Sequence, residues 1–495
     1  MNPEGDLRSH LAALAELGEL QRVDRTVATD LELGAIVRRC CEIGAPSPLF
    51  TSLDRGEPGF RVLGAPASTS SQPHHRLARI ALALGLPPTA KGLDIVEALT
   101  AARQREPIPP RLVENGPCKQ HVLLGNDVDL EIFPTPRIHD GDGGRYFNTW
   151  GALIVQDPEG HWTNWTISRL MIHDRRTLVG PLAPTQHIGQ IFEQWRRLGQ
   201  PMPFAVAQGG HPAIPFACAM PIPREVDEVA FLGAYLGAPL DVVTCETNVL
   251  QVPADAEIVI EGHVDPSRTG PEGPMGEYSG YIATHTWQAP LFHVDAITYR
   301  DEAILPVVAA GEPIDETHTA SGTVYAAEAL HQLRTAGLPV TTCWLPYEAA
   351  TSWFVATVPA HWRDEFAGTS TDLVNQIAST YFHSKPGVEL AVVIVTYDDV
   401  DPTDISALVW AMATRMHPHN GAIYFPDEPI TPLPPSWSGA DRAVMRATKV
   451  AYNCLYGDEY PDPADLPRRS SFRYCYPDSL QQDVLRNWES YGFSR

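Results

Sequence analysis

The sequence predicts a multidomain α+β protein: an N-terminal α/β unit, a central antiparallel barrel or sandwich, and a C-terminal α/β unit. Three observations carry this expectation. The chain has 495 residues, too many for one ordinary core, with 44% hydrophobic and 19% charged residues to build several. Its hydrophobic pattern changes twice, from short helices alternating with strands, to a run of strands, and back. The break Pro107-Ile-Pro-Pro110 closes the first pattern, because proline cannot continue regular structure.

In the first unit, Leu7, Leu11 and Leu14 share one face of a helix, and Leu31 to Ile43 forms a second. Pro48 to Leu53 and Phe60 to Leu63 read as strands, and Ile95 to Arg103 as a helix. The central unit reads as strands at Val122–Leu124, Tyr146–Val155, Trp162–Ile172, Asp241–Val252, Glu257–Val264 and Leu291–Tyr299. Turn residues such as Asp157-Pro-Glu-Gly160 separate them, and helices near Ile188–Leu198 and Val226–Leu236 interrupt them. A helix from about Val324 to Ala336 leads into the third unit, with strands near Trp353–Val358 and Leu390–Tyr397 and helices near Thr371–Tyr381 and Ile405–Arg415. The unbroken apolar run Leu390-Ala-Val-Val-Ile-Val predicts a strand covered on both faces. Residues 426–438 are proline-rich and extended, and 478–492 predict a terminal helix with Leu480, Val484 and Leu485 inward. The expected boundaries are 1–112, 113–318, a linking helix at 319–336, 337–460, and a tail at 461–495.

The formal net charge is −24, from 60 acidic and 36 basic residues. A field of that sign repels phosphate backbones and anionic membranes, which disfavours nucleic acid and membrane partners. An anionic ligand would need a basic pocket built against it. The start Met-Asn-Pro-Glu-Gly-Asp lacks a leader pattern, and no stretch reaches the ~18 apolar residues of a membrane span, so the expected location is the cytoplasm. Eight cysteines include no CxxC pair and read as reduced, buried thiols. Neither a P-loop nor a GxGxxG after a strand is present, which disfavours ATP and nicotinamide cofactors.

Three pieces of polar chemistry fall inside the central unit: Asn164-Trp-Thr-Ile-Ser-Arg169, Thr185-Gln-His187, and Gly270-Pro-Glu272-Gly-Pro-Met-Gly-Glu277. Glycine and proline between Glu272 and Glu277 fix the backbone sharply, so this loop can aim two carboxylates at one point. An Arg beside two carboxylates keeps both ionised unless one is desolvated, and desolvation raises that one toward the range of a proton donor. On spacing alone two readings stay open: an Arg-plus-two-Glu acid/base site, or a surface loop with solvated glutamates and a structural ion pair.

Together with Gly144-Arg-Tyr-Phe147, Cys245-Glu-Thr, Asp315-Glu-Thr-His-Thr319 and Asp398-Asp-Val-Asp401, these pieces resemble, in order, the motifs of the UbiD-like family of prenylated-FMN-dependent (de)carboxylases. The resemblance runs from about residue 5 to the C-terminus. It implies a central split β-barrel that binds the flavin and a C-terminal α/β unit that oligomerises, giving a homodimer or an assembly of dimers. It also implies reversible non-oxidative decarboxylation of an α,β-unsaturated or (hetero)aromatic acid through a cycloadduct with prenylated FMN, the cofactor being supplied by a flavin prenyltransferase. Carried over residue by residue, Arg169, Glu272 and Glu277 become the catalytic set, with Glu277 the proton donor. Asn164, Thr166, Ile167, Ser168, Arg169, Gln186, His187, Glu228 and Lys385 become cofactor-binding, with Lys385 the candidate at the phosphate. Asn164, His187 and Glu228 match the family's metal positions, and an amide, an imidazole and a carboxylate suit Mn²⁺ or Mg²⁺; a K⁺ site nearby is also implied. Gln186, Met275, His318 and Ser321 are the expected substrate pocket, with His293 a further polar candidate. The small residues Ala320, Ser321 and Gly322 imply room for a larger or branched acid rather than a simple hydroxybenzoate. The rival readings are a reductase or oxidase using unmodified FMN, and a non-catalytic flavin-binding subunit of a carboxylase complex.

Overall fold

The computed structural model describes residues 5–282, 285–457, 460 and 463–494; the first four of the six residues read for a leader lie outside them. The N-terminal unit is built on a four-stranded mixed sheet in the order Leu20–Val23, Ser47–Phe50, Arg61–Gly64, Ile304–Val307. Its last strand comes from far along the chain and pairs in parallel with Arg61–Gly64, which ties this unit to the central one. The helix Leu7–Glu16 buries Leu7, Leu11 and Leu14, the face its leucine spacing predicts.

The central unit is a nine-stranded sheet led by two long antiparallel strands, Ala256–Glu272 and Trp287–Tyr299. Tyr146–Asn148 and Leu170–Asp174 stand at one end of the strand order, Ala152–Gln156 and Thr163–Thr166 at the other. Yet only three residues, Thr149-Trp-Gly151, join the first end to the second, and three more, Ile167-Ser-Arg169, lead back. Such connections reach no more than about 14 Å, so the two ends of the sheet meet and the sheet curls into a split barrel. The Asn148 side chain clasps this seam: Nδ2 donates to the Ser168 carbonyl at 2.8 Å and to that of Gly151 at 3.2 Å, while Oδ1 accepts from Gly151 N at 2.9 Å and Gln208 Nε2 at 2.8 Å.

The seam also explains why two expected strands are each two. Tyr146–Val155 divides into Tyr146–Asn148 and Ala152–Gln156, and Trp162–Ile172 into Thr163–Thr166 and Leu170–Asp174. Both interruptions occur where the chain crosses from one end of the sheet to the other. Asp241–Val252 is likewise a hairpin, Asp241–Thr244 with Gln251–Pro253. Strand Met202–Gly209 and helix Ile214–Ala219 lack a strong periodic signal in the sequence, yet the structure forms both.

The connecting helix, expected from Val324 and as a link over 319–336, runs Glu316–Thr335. Its start is fixed by a capping box: Asp315 Oδ1 accepts from Thr317 N at 2.8 Å, and His318 Nδ1 accepts from Asp315 N at 3.0 Å. The tertiary cap outweighs the weak helical preference of Thr, His, Ser and Gly in this turn. Beyond it, a five-stranded sheet orders as Thr342–Trp344, Trp353–Val358, Val392–Tyr397, Arg446–Asn453, Ala422–Pro429. Part of the stretch expected to be merely extended, 426–438, therefore closes this sheet. The helix Asp478–Arg486 forms, but Leu480 and Leu485 are 47% and 57% exposed rather than inward, because among the described residues no element covers that face. All eight cysteines are free, Cys475 being exposed and Cys40 half-buried. Among the described residues, no helix is long and apolar enough to cross a membrane.

Candidate active site

A cavity of about 300 Å³ opens at the barrel seam, where the central unit faces the connecting helix and the C-terminal unit. Into it the strand Thr163–Thr166 carries Asn164 and Thr166, and the seam crossing carries Ile167, Ser168 and Arg169. Arg169 lies in the break between two strands, so its side chain is free of the ladder and turns onto the loop 273–277. Its Nε donates to Glu272 Oε1 at 2.9 Å and Nη2 to Glu272 Oε2 at 3.2 Å, while Nη1 donates to Glu277 Oε1. Trp287, the strand partner of Glu272, lies under the guanidinium with its ring centroid 5.0 Å from Cζ. Glu272 itself ends the long strand Ala256–Glu272 and is fully buried; Tyr146 donates its hydroxyl to Oε1 at 3.1 Å.

The loop that carries Glu277 is fixed from behind. Gly276 N donates to Asp142 Oδ1 at 2.9 Å, and the His139 ring packs where a Gly276 Cβ would stand, 2.5 Å from Nδ1. Burial raises the Glu277 pKa despite the attraction of Arg169. The Arg169 pKa is raised in turn: burial opposes its charge, but the two glutamates more than offset it. Three of the five guanidinium hydrogens are engaged here, which leaves two for a substrate or cofactor.

At the other end of the cavity, Asn164 Nδ2 donates to Glu228 Oε1 at 2.8 Å and Trp165 N to Oε2 at 2.9 Å. The Asn164 Oδ1 atom is buried with no hydrogen-bond partner. His187 and Glu228 are the first residues of two helices, His187–Leu198 and Glu228–Leu236, whose positive ends favour an anion or its counter-ion bridge. Burial lowers the His187 pKa to about 4, so its imidazole is neutral and able to ligate; Lys385 Nζ stands 3.2 Å from its Nδ1. Burial raises Glu228, and it lowers Lys385 even though that side chain reaches open cavity space. Among the described residues no group of three or more His, Cys, Asp or Glu side chains could hold a metal alone. An ion at Asn164, His187 and Glu228 would need ligand oxygens to complete its shell, and the orphaned Oδ1 with a neutral imidazole fits that donor set.

The structure thus brings Arg169, Glu272 and Glu277 into direct contact, pairs Asn164 with Glu228, and sets Lys385 against His187. Gln186, Met275 and Ser321 line the cavity, and so does Ala320. His318 does not: it is fully buried, Nε2 bonds the Tyr278 carbonyl at 2.8 Å and Nδ1 is used in the helix cap. His293 lies away from the cavity on strand Trp287–Tyr299, beside His263 and Asp295. Gly322 adds no room, since a Cβ there would meet the Tyr347 ring at 2.9 Å.

The chain matches three domains described as 3-octaprenyl-4-hydroxybenzoate carboxy-lyase, UbiD: the N-terminal domain over 11–99, the Rift-related domain over 111–313 and the C-terminal domain over 318–454. It is 43% identical over 488 residues to pyrrole-2-carboxylic acid decarboxylase of Pseudomonas aeruginosa, covering 99% of this chain and 98% of that protein. The chain belongs to the UbiD family. Ferulic acid decarboxylase 1 of Saccharomyces cerevisiae is 35% identical over 500 residues, covering 100% of this chain and 99% of that one. The UbiD-class enzyme HmfF from Pelotomaculum thermopropionicum, solved in complex with FMN, superposes with a TM-score of 0.80 at 26% identity, over 98% of this chain and 100% of that one. The closed form of Sedimentibacter hydroxybenzoicus vanillic acid decarboxylase shares the fold at a TM-score of 0.83 and 24% identity, over 98% of each chain.

In this UbiD-family chain the cavity has a second wall that motif reading did not find. Tyr325 of the connecting helix and Glu389, Thr431 and Leu433 of the C-terminal unit face it, with Met220 from the central unit. No local pattern marks these positions. They share only a place in the fold, where helix and loop from separate units meet the barrel seam.

Proposed function

We propose that this protein catalyses reversible non-oxidative decarboxylation of an α,β-unsaturated or (hetero)aromatic carboxylic acid, with prenylated FMN as its cofactor. The observation that carries the reading is the contact of one guanidinium with two carboxyls at a cavity on the barrel seam. Two relatives across nearly the whole chain are decarboxylases of a heteroaromatic and an unsaturated acid, and a structural neighbour holds prenylated FMN.

Thr166, Ile167, Ser168, Arg169 and Gln186 would face the flavin, and Lys385 its phosphate. Asn164, His187 and Glu228 would hold Mn²⁺ or Mg²⁺, whose charge would offset that of the phosphate, with K⁺ as a further cation. The bound cofactor supplies the electron sink that an sp² carbanion lacks. The protein supplies the proton. Glu277, whose burial favours the protonated form, donates it to the carbon that loses carbon dioxide and is left as a carboxylate beside Arg169. Glu272 holds Arg169 from the other side, so the guanidinium stays in place through both states of Glu277. Solvent protons restore the acid.

Gln186, Met275 and Ser321 line the substrate side. A homo-oligomer through the C-terminal unit, a flavin prenyltransferase as cofactor supplier and a cytoplasmic site of action complete the reading. The test is carbon dioxide release from a panel of unsaturated, heteroaromatic and aromatic acids by protein co-produced with a flavin prenyltransferase. NAD(P)H oxidation without carbon dioxide release, or flavin binding with neither activity, would overturn it.

A further inference from the structure

Glu389 stands apart from every group used so far. It closes the short turn Lys385–Glu389 in the C-terminal unit and lines the cavity from the side opposite the barrel. Its Oε1 accepts from the Tyr325 hydroxyl at 3.3 Å; among the described residues that is its one hydrogen-bond partner, at a residue that lines the cavity. Tyr325 is held in turn by Ser321, one helical turn earlier on the same face. Around this carboxyl stand Lys385, which attracts it, and Tyr278, whose hydroxyl feels both Glu389 and Glu277. The Tyr325 hydroxyl reaches one of the two carboxyl oxygens, so the desolvation cost of this buried group is offset only in part. Met275, Met220 and Leu433 offer it nothing. Lys385 is already drawn toward His187 and Glu228 at the other end of the cavity.

We propose that Glu389, braced by Tyr325, is the specificity-determining residue of this site and selects acids whose ring bears an N–H donor on the edge away from the reacting carboxylate. The inference rests on the decarboxylase reading for the substrate's carboxylate end, and adds the chemistry of its other end. A carboxyl oxygen pairs with a ring N–H and gains nothing from a ring sulfur of the same shape. Discrimination by a buried acceptor is stronger than discrimination by pocket size, because the wrong ligand leaves the acceptor unpaired.

The test separates binding from turnover. Full-length protein loaded with unmodified FMN is titrated calorimetrically with an indole carboxylate and with the benzothiophene carboxylate of the same shape. The wild type is expected to bind the indole acid about tenfold more tightly. In Glu389→Leu the ratio falls below about twofold while the benzothiophene acid binds as before. Glu389→Thr, which keeps a polar group but cannot reach the ligand, gives the same loss and guards against a collapse caused by leucine. Equal affinities in the wild type, or a ratio that both variants leave unchanged, overturn the inference. Carbon dioxide release is then measured with protein matured to prenylated FMN. Its absence for these two acids and for every other acid of the panel overturns the proposed reaction and leaves the binding result standing.

Discussion

Replacing Glu277 by Gln isolates proton donation from everything else the site does. The amide has the size of the acid and still accepts from Arg169, which keeps its bonds to Glu272 at 2.9 and 3.2 Å. Breaking a buried ion pair costs about 3–5 kcal/mol when the surviving charge is left alone; here Arg169 is not left alone, so the fold survives. The pH dependence gives a sign. Burial raises the folded pKa of Glu277, so the folded wild type holds that proton more tightly than the unfolded chain does. That stabilisation is complete below the unfolded value, roughly 4.3, and is lost as pH rises through the raised folded one. The variant has nothing to lose, so its Tm relative to wild type increases with pH across this window. A positioned general acid contributes about 10²–10⁴-fold, and carbon dioxide release should fall by that factor. The assay is the initial rate on matured protein, with flavin stoichiometry read from the absorbance of the same sample. A variant with full flavin occupancy and a rate within threefold of wild type refutes the assignment of Glu277 as the donor.

Asn164→Ala removes a buried Oδ1 that lacks a partner; metal analysis after gel filtration should show divalent metal and flavin retained together less well, by about tenfold or more in metal affinity. Gly276→Ala places a Cβ 2.5 Å from His139 Nδ1, which forces the Glu277 loop to shift, and a displacement near 1 Å costs turnover about 10²-fold while circular dichroism stays native. Lys449 is 1% exposed and burial lowers its pKa from 10.5 to about 8, a difference of 2.5, or about 3 kcal/mol at neutral pH. Its folded-state pKa is depressed, so stability is present above pH 10.5 and is lost as pH falls through 8. Lys449→Met, which also gives up the bond to the Gly387 carbonyl at 2.5 Å, should melt higher than wild type at pH 7, with the gap closing between pH 8 and 10.5 in a thermal melt series.

Elements whose burial is decided within one layer were legible in the sequence. The strand Trp353–Val358 and the helix Ile405–Arg415 lie where periodicity places them, because their apolar residues meet neighbours of the same unit. What the sequence could not show is decided between units. The helix start at Glu316 depends on a cap whose Asp315 is also gripped by Arg38 of the N-terminal unit at 3.5 Å. Leu480 and Leu485 carry a helical apolar pattern, and periodicity states only that a face exists, never that this chain covers it. The proposed catalytic set was legible only as separate motifs: Arg169 meets Glu272 and Glu277 across 103 and 108 residues of sequence. Tyr325 and Glu389 carried no signal, being ordinary residues of a helix and a turn until the fold sets them on one cavity wall.

The barrel seam accounts for why chemistry gathers at this one place. Within a continuous sheet, backbone N–H and C=O groups pair with their neighbours and side chains alternate between core and surface. At the seam the ladder stops, and residues 149–151 and 167–169 cross without strand partners. One buried amide, Asn148, satisfies some of the freed groups; the rest of the crossing lines the cavity. Arg169 can reach two carboxyls because it is not bound into a strand. Glu272 stays rigid because it ends a strand of 17 residues paired on its edge with Trp287. In the proposed reaction Glu277 changes charge in each turnover, while the groups around it hold their places. Two short crossings and one long strand meet that requirement. On this argument, changes that tighten the seam, such as bulk added at Gly151, where a Cβ would lie 2.6 Å from Asn148 Oδ1, damage the site before they damage the fold.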